Sequence, residues 1–158
     1  ANRDIHRRYE AIVHRKILAN GMVDQPIGRH PTKRTQMAVR ADGKPAQTFY
    51  DVIENYNNYS HIRCKLVTGR THQIRVHMKY IKHPILGDPI YHGGYHTKQL
   101  QSDPTLQKLL QALNRQALHA RHLTLQHPIT HESLHFSAPV PKDMQAIIDY
   151  LQHDKREE

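Results

Sequence analysis

The sequence is poor in sulfur, in aromatics and in acid. It holds one cysteine, Cys64, no tryptophan and two phenylalanines in 158 residues. A single thiol excludes a disulfide framework and a cysteine-built zinc site, and it fits a reducing cytoplasm. No apolar run approaches the ~20 residues of a membrane span. The opening residues, ANRDIHRRYE, are polar and charged, so they are no secretory leader. They also begin without methionine, as an excised fragment would. No glycine-rich phosphate loop of the P-loop or dinucleotide type is present.

Acidic residues number 14 against 23 lysines and arginines, a formal net charge of +9 and a pI of about 9.8. A surplus of this size points to a polyanion, nucleic acid ahead of an anionic membrane, although a basic surface also serves solubility alone. Hydrophobic residues make up 37% and the mean hydropathy is -0.77. The whole chain, 1–158, therefore reads as one wet but globular domain with one core.

Periodicity divides the chain into strands and helices. Tyr9, Ala11 and Val13 alternate as on a strand. Residues 28–35, GRHPTKRT, form a basic loop broken by Pro31. Thr48, Tyr50 and Val52, then Ile62, Cys64 and Leu66, alternate on two arms joined at Asn57-Asn58, a hairpin pattern. From Thr71, a candidate N-cap, the period becomes helical through Ile74, Met78 and Ile81. Residues 83–94 are a loop punctuated by proline and glycine. Ser102 or Asp103 before Pro104 opens a helix through Leu106, Leu109, Leu110 and Leu113. Two strands follow around Pro128, and a last helix runs through Met144, Ile147, Ile148 and Leu151. The tail, HDKREE, is expected to fray. Strand runs with inserted helices imply an α+β domain on a largely antiparallel, mixed sheet with flanking helices.

Fifteen histidines raise the question of a metal. His72 and His77 are five apart, on different faces of a helix, and His119 and His122 fall on opposite faces of a strand. No H-E-x-x-H occurs, so these histidines read as polar or hydrogen-bonding residues, some near phosphates, and no metal is expected. The cationic segments RDIHRR, HRK and RHPTKR suit an RNA-facing surface. Tyr9 beside Arg7 and Arg8 offers a ring for base stacking next to phosphate neutralisation, or is an ordinary strand tyrosine. Asp88, in a loop after Gly87, is a possible nucleophile but more naturally a turn former. Arg75 stands between Ile74 and Val76, where a helix turns inward, and requires an anionic partner.

The segment GRTHQIRVH (69–77) followed by HPILGDPIYHGG resembles the signature of the large-subunit (RluA-type) pseudouridine synthases. RRYEAIV and RQALHARHLTLQHP resemble that family's tyrosine and later strand motifs. PIGRHPTKRTQMAV and GKPAQTFY look closest to one of its ribosomal subgroups. The resemblance implies a cofactor-free reaction: the glycosidic bond of a uridine in large-subunit (23S) rRNA or its precursor is cut, the uracil rotates, and the sugar is rejoined to a ring carbon. It implies a cytoplasmic monomer that serves ribosome biogenesis. Tyr9 would stack on the base, and Arg75 would pair with the catalytic carboxylate. Arg7, Arg8, Arg29, His30, Lys33 and Arg34 would meet RNA. Gly69, Arg70, Thr71, His72, Gln73, Gly87 and Asp88 would be scaffold.

The family's nucleophile is the aspartate of an H-R-L-D motif upstream of the tyrosine motif, and nothing here matches it; Asp4, in RDIHRR, is in the wrong setting and too near Tyr9. The chain is thus expected to be the later part of a catalytic domain, inactive alone, with Arg75 left unpaired in a site open to solvent or loosely ordered. A non-catalytic rRNA-binding module on the same scaffold is the competing reading.

Overall fold

The computed structural model describes residues 6–94 and 101–156. Its frame is a six-stranded antiparallel sheet made of β1 (His6–His14), β2 (Gly21–Asp24), β5 (Gln47–Asn55), β6 (Tyr59–Leu66), β7 (Leu118–Gln126) and β8 (Ser133–Ser137). The strands lie in the order β2-β5-β6-β1-β7-β8. A separate ribbon of β3 (Ile27–Arg29) and β4 (Met37–Val39) carries the basic loop. The helices of the described residues are α1 (Gln73–Tyr80), α2 (Pro104–Leu113) and α3 (Lys142–Arg156). This is the α+β layout implied by the alternation of periods. RDIHRR begins at Arg3, so Arg3, Asp4 and Ile5 fall outside the described residues.

The hairpin forms as its alternation dictates. Thr48 faces Leu66, Tyr50 faces Cys64 and Val52 faces Ile62. On the other side of β6, Tyr9 pairs with Cys64 and Ala11 with Ile62. Paired residues share a face, so Tyr9, Ala11, Ile62, Cys64 and Thr48 present one surface. Helix α1 covers it: Ile74 and Met78 join Ala11, Ile62 and Cys64 in the main core. Ile62, Ile74 and Met78 each contribute about 1.5–3 kcal/mol when taken fully out of water. Burial also pushes the Cys64 thiol up to about 12, so it stays protonated and unreactive.

Helix α2 starts as its sequence requires, with Asp103 accepting the Leu106 N–H and Pro104 in the first turn. Two expectations are corrected. The residue that caps α1 is His72, with a left-handed backbone (φ 57°) and no side-chain cap bond, rather than Thr71. The Gln73 side chain, rather than Thr71, ties off the preceding loop by accepting the Arg70 N–H. The tail does not fray at His153: α3 stays helical to Arg156, continuing beyond the buried Leu151.

Candidate active-site face

Gly69 to Gln73 are held by one buried amide. Gln73 Oε1 accepts from the Arg70 N–H and the Thr68 hydroxyl, while Nε2 donates to the Gln47 carbonyl and to Thr48 Oγ1. All four hydrogen-bonding positions are filled, which fixes the amide orientation. The network continues into α1. His77 Nε2 lies 2.9 Å from the Gln25 carbonyl, which only accepts, so Nε2 carries the proton. Nδ1 is then the acceptor for the Thr48 hydroxyl at 2.7 Å. Burial lowers the His77 pKa and keeps this tautomer neutral. Gly69 lies directly against the Arg7 guanidinium from β1, so a side chain at this position would have to displace that guanidinium. Arg7 and Tyr9 share a sheet face, so the strand with the tyrosine meets the signature loop here.

Arg75 is neither unpaired nor open to solvent, and the expectation that it lacks a partner in this chain is corrected. Its Nε and Nη2 donate to the two oxygens of Asp88 at 2.7 and 2.8 Å, and the residue is only 8% exposed. Asp88 also accepts the backbone N–H groups of Ile90 and Tyr91. Burial alone would raise the Asp88 carboxyl; the Arg75 fork and the two N–H groups outweigh it and hold it below the ordinary range. Gly87 makes the turn before it, with φ +76° and an added Cβ 2.7 Å from the Arg115 carbonyl oxygen. A loop carboxylate, read from sequence as a turn former, is thus also the counter-ion of the helix arginine. The pair uses two of the five N–H donors of the guanidinium. Among the described residues, Nη1 makes no hydrogen bond.

Tyr91, which sequence reasoning passed over, closes the site. Its ring lies under Arg75, 4.9 Å from Cζ to the centroid. Its hydroxyl accepts the Met37 N–H at 2.9 Å and meets His72 Nδ1 at 2.7 Å. Burial, and then the charge of Arg75, lowers the His72 pKa and favours the neutral ring. The available signal was a tyrosine three residues after the aspartate of GDPIY, a spacing that lets one carboxylate bond the tyrosine N–H.

The basic ribbon stands beside this cluster. A groove of about 460 Å³ is lined by Gly28, Arg29, Met37, Lys44, Gly69, Arg70 and Thr71, among others. Arg29, Lys33 and Arg34 are exposed. His30 Nδ1 accepts from the Thr32 and Lys33 N–H groups and shapes the loop. Arg8 lies apart. It alternates with Arg7 and Tyr9 to the other face of the sheet, where it lines a hollow of about 370 Å³ with Phe49, Asp51, Arg63 and Lys65.

A family model described as RNA pseudouridylate synthase matches residues 1–80. The chain is 52% identical over 155 residues to "Ribosomal large subunit pseudouridine synthase D" of Vibrio parahaemolyticus, and 46% identical over 155 residues to the protein of that name from Escherichia coli. Each alignment covers 98% of this chain and 47% of the relative, so the chain spans about half the length of the curated relatives it matches. Human RNA Pseudouridylate Synthase Domain Containing 4 has the same fold, with a TM-score of 0.72 at 23% identity over 94% of this chain and 62% of that one. Domain Containing 1 follows at 0.69 and 22%, over 94% and 66%. The family model spans just over half of the chain, and the chain belongs to the RNA pseudouridylate synthase family.

Proposed function

We propose that the protein isomerises particular uridines of large-subunit rRNA to pseudouridine in the cytoplasm, with this chain supplying the RNA-gripping part of the catalytic domain. The identity of 52% to a relative named as a pseudouridine synthase of the ribosomal large subunit carries the reading. In it, Arg29, His30, Lys33 and Arg34 meet the RNA backbone over the groove beside Arg70, and Arg7 lies next to Tyr9, which stacks on the target base. Arg8, on the other sheet face, would touch a different part of the RNA.

Arg75 takes a more defined role than a free cation. Asp88 and the Tyr91 ring hold its plane, and the edge carrying Nη1 remains for a second carboxylate, the nucleophile. No aspartate of this chain stands in an H-R-L-D motif. The nucleophile is therefore assigned to a segment outside these 158 residues, in keeping with relatives about twice as long. The test is nucleoside analysis of large- and small-subunit rRNA transcripts after incubation with the full-length protein. Pseudouridine confined to the large-subunit transcript is expected; equal modification of both removes the substrate assignment.

A further inference from the structure

Tyr91 is 2% exposed and sits in a small second core with Ile27, Ala46 and Val76. A buried tyrosine needs one partner for its hydroxyl. This one has two, on separate pieces of the site. The Met37 N–H belongs to β4, the strand that ends the basic loop, and is 54 residues away in sequence. His72 caps α1 in a left-handed conformation rarely taken by residues other than glycine, which marks it as a position held by its surroundings. The Tyr91 and His72 rings meet edge to face, 5.4 Å apart at 70°. The same tyrosine lies under the Arg75 guanidinium, and its own N–H binds the Asp88 carboxylate that holds that guanidinium. Ribbon, helix start and arginine are thus connected through one side chain.

We propose that Tyr91 is a positioning residue of the reaction, its hydroxyl tying the RNA-gripping ribbon to α1 and its ring fixing the plane of Arg75. The inference rests on the synthase reading above. It separates two tasks within one residue. Loss of the hydroxyl leaves the Met37 N–H without its acceptor and lets the ribbon shift over the groove, a defect in RNA capture. Loss of the ring removes the surface beneath Arg75, a defect in the chemical step.

Two variants divide the tasks. In the full-length protein, Tyr91→Phe is expected to raise KM for an rRNA transcript roughly tenfold, the scale of a buried donor left unpaired. Its kcat should stay within about threefold. In this chain, the Met37 amide should exchange with solvent about tenfold faster in the same variant. Tyr91→Leu, which also loses the ring, should lower kcat at least about tenfold. Unchanged KM and unchanged Met37 exchange in Tyr91→Phe would overturn the inference. So would a kcat loss as large in Tyr91→Phe as in Tyr91→Leu, or a shift in melting temperature with both kinetic constants intact. If the unsubstituted full-length protein shows no turnover, the synthase reading fails. RNA affinity and Met37 exchange of the Tyr91→Phe chain then still decide whether Tyr91 seats the ribbon.

Discussion

The carboxylate at position 88 has no solvent contact and accepts four hydrogen bonds, two from Arg75 and two from backbone N–H groups. Asparagine would keep an oxygen for the backbone but leave Arg75 as a buried charge without a counter-ion. Asp88→Asn should therefore destabilise this chain by about 3 kcal/mol in denaturant unfolding. The acid limb of stability should flatten with it. Asp88 holds its proton less tightly folded than unfolded, so its contribution is full above pH about 4 and is lost as the pH falls through its depressed native value. A loss under about 1 kcal/mol would mean that the pair is dispensable to the fold. Tyr9 gives a second check at this scale. If its ring stacks on the target base, Tyr9→Phe should keep most of the full-length protein's activity and Tyr9→Leu should lose it, since base–aromatic stacking is worth about 1–3 kcal/mol. Equal losses would point to the hydroxyl. The Arg75–Asp88 pair was half legible: a cation at an inward helix position demands an anion. Its source, 13 residues on in a loop, was not, because loops carry no period to place their side chains.

Among the elements, the strands and helices were legible because their repeats are local. Tyr9–Ala11–Val13 and Ile62–Cys64–Leu66 declare their shared face by a period of two, and Ile74–Met78 declares α1. What tied the elements together was not legible. His77 reaches Thr48 from 29 positions away and Gln25 from 52, and only the folded sheet brings them within hydrogen-bonding distance. Thr71 has the right residue type for a cap, but the cap fell to His72 because Gln73 had already bound the loop. The His77 network has a pH signature. Its histidine resists protonation when folded, while in the unfolded chain it titrates near 6.5. Stability should thus be full above pH about 6.5 and fall as the pH drops below it. Comparison of unfolding midpoints between pH 7.5 and 5.5 for the parent and for His77→Gln checks this, using roughly the window about that reference value. The variant should be less stable at the upper pH and lose less on acidification; parallel curves would place the titration on another histidine.

At the scale of the whole molecule, a charge of +9 and a groove flanked by Arg29, Lys44 and Arg70 should make this chain bind RNA by counter-ion release. Titration of a labelled single-stranded rRNA segment at several salt concentrations should give a log-log slope of about -0.7 per phosphate neutralised. Affinity independent of salt would contradict the electrostatic account. Turnover is a separate matter, because the nucleophile is assigned to a segment outside these residues, and this chain alone should bind without isomerising. The central claim joins the two: Arg75, set by Asp88 and Tyr91, aims a carboxylate that the rest of the protein brings. Lysine would keep the charge and lose the planar fork. The direct test is single-turnover isomerisation of an rRNA transcript by saturating full-length protein and by its Arg75→Lys variant, with a binding titration of each folded protein. The account predicts a fall of about a hundredfold in the rate constant with affinity nearly unchanged. A rate within about tenfold of the parent, under roughly 1.4 kcal/mol in barrier, or a collapse of affinity in its place, would contradict it.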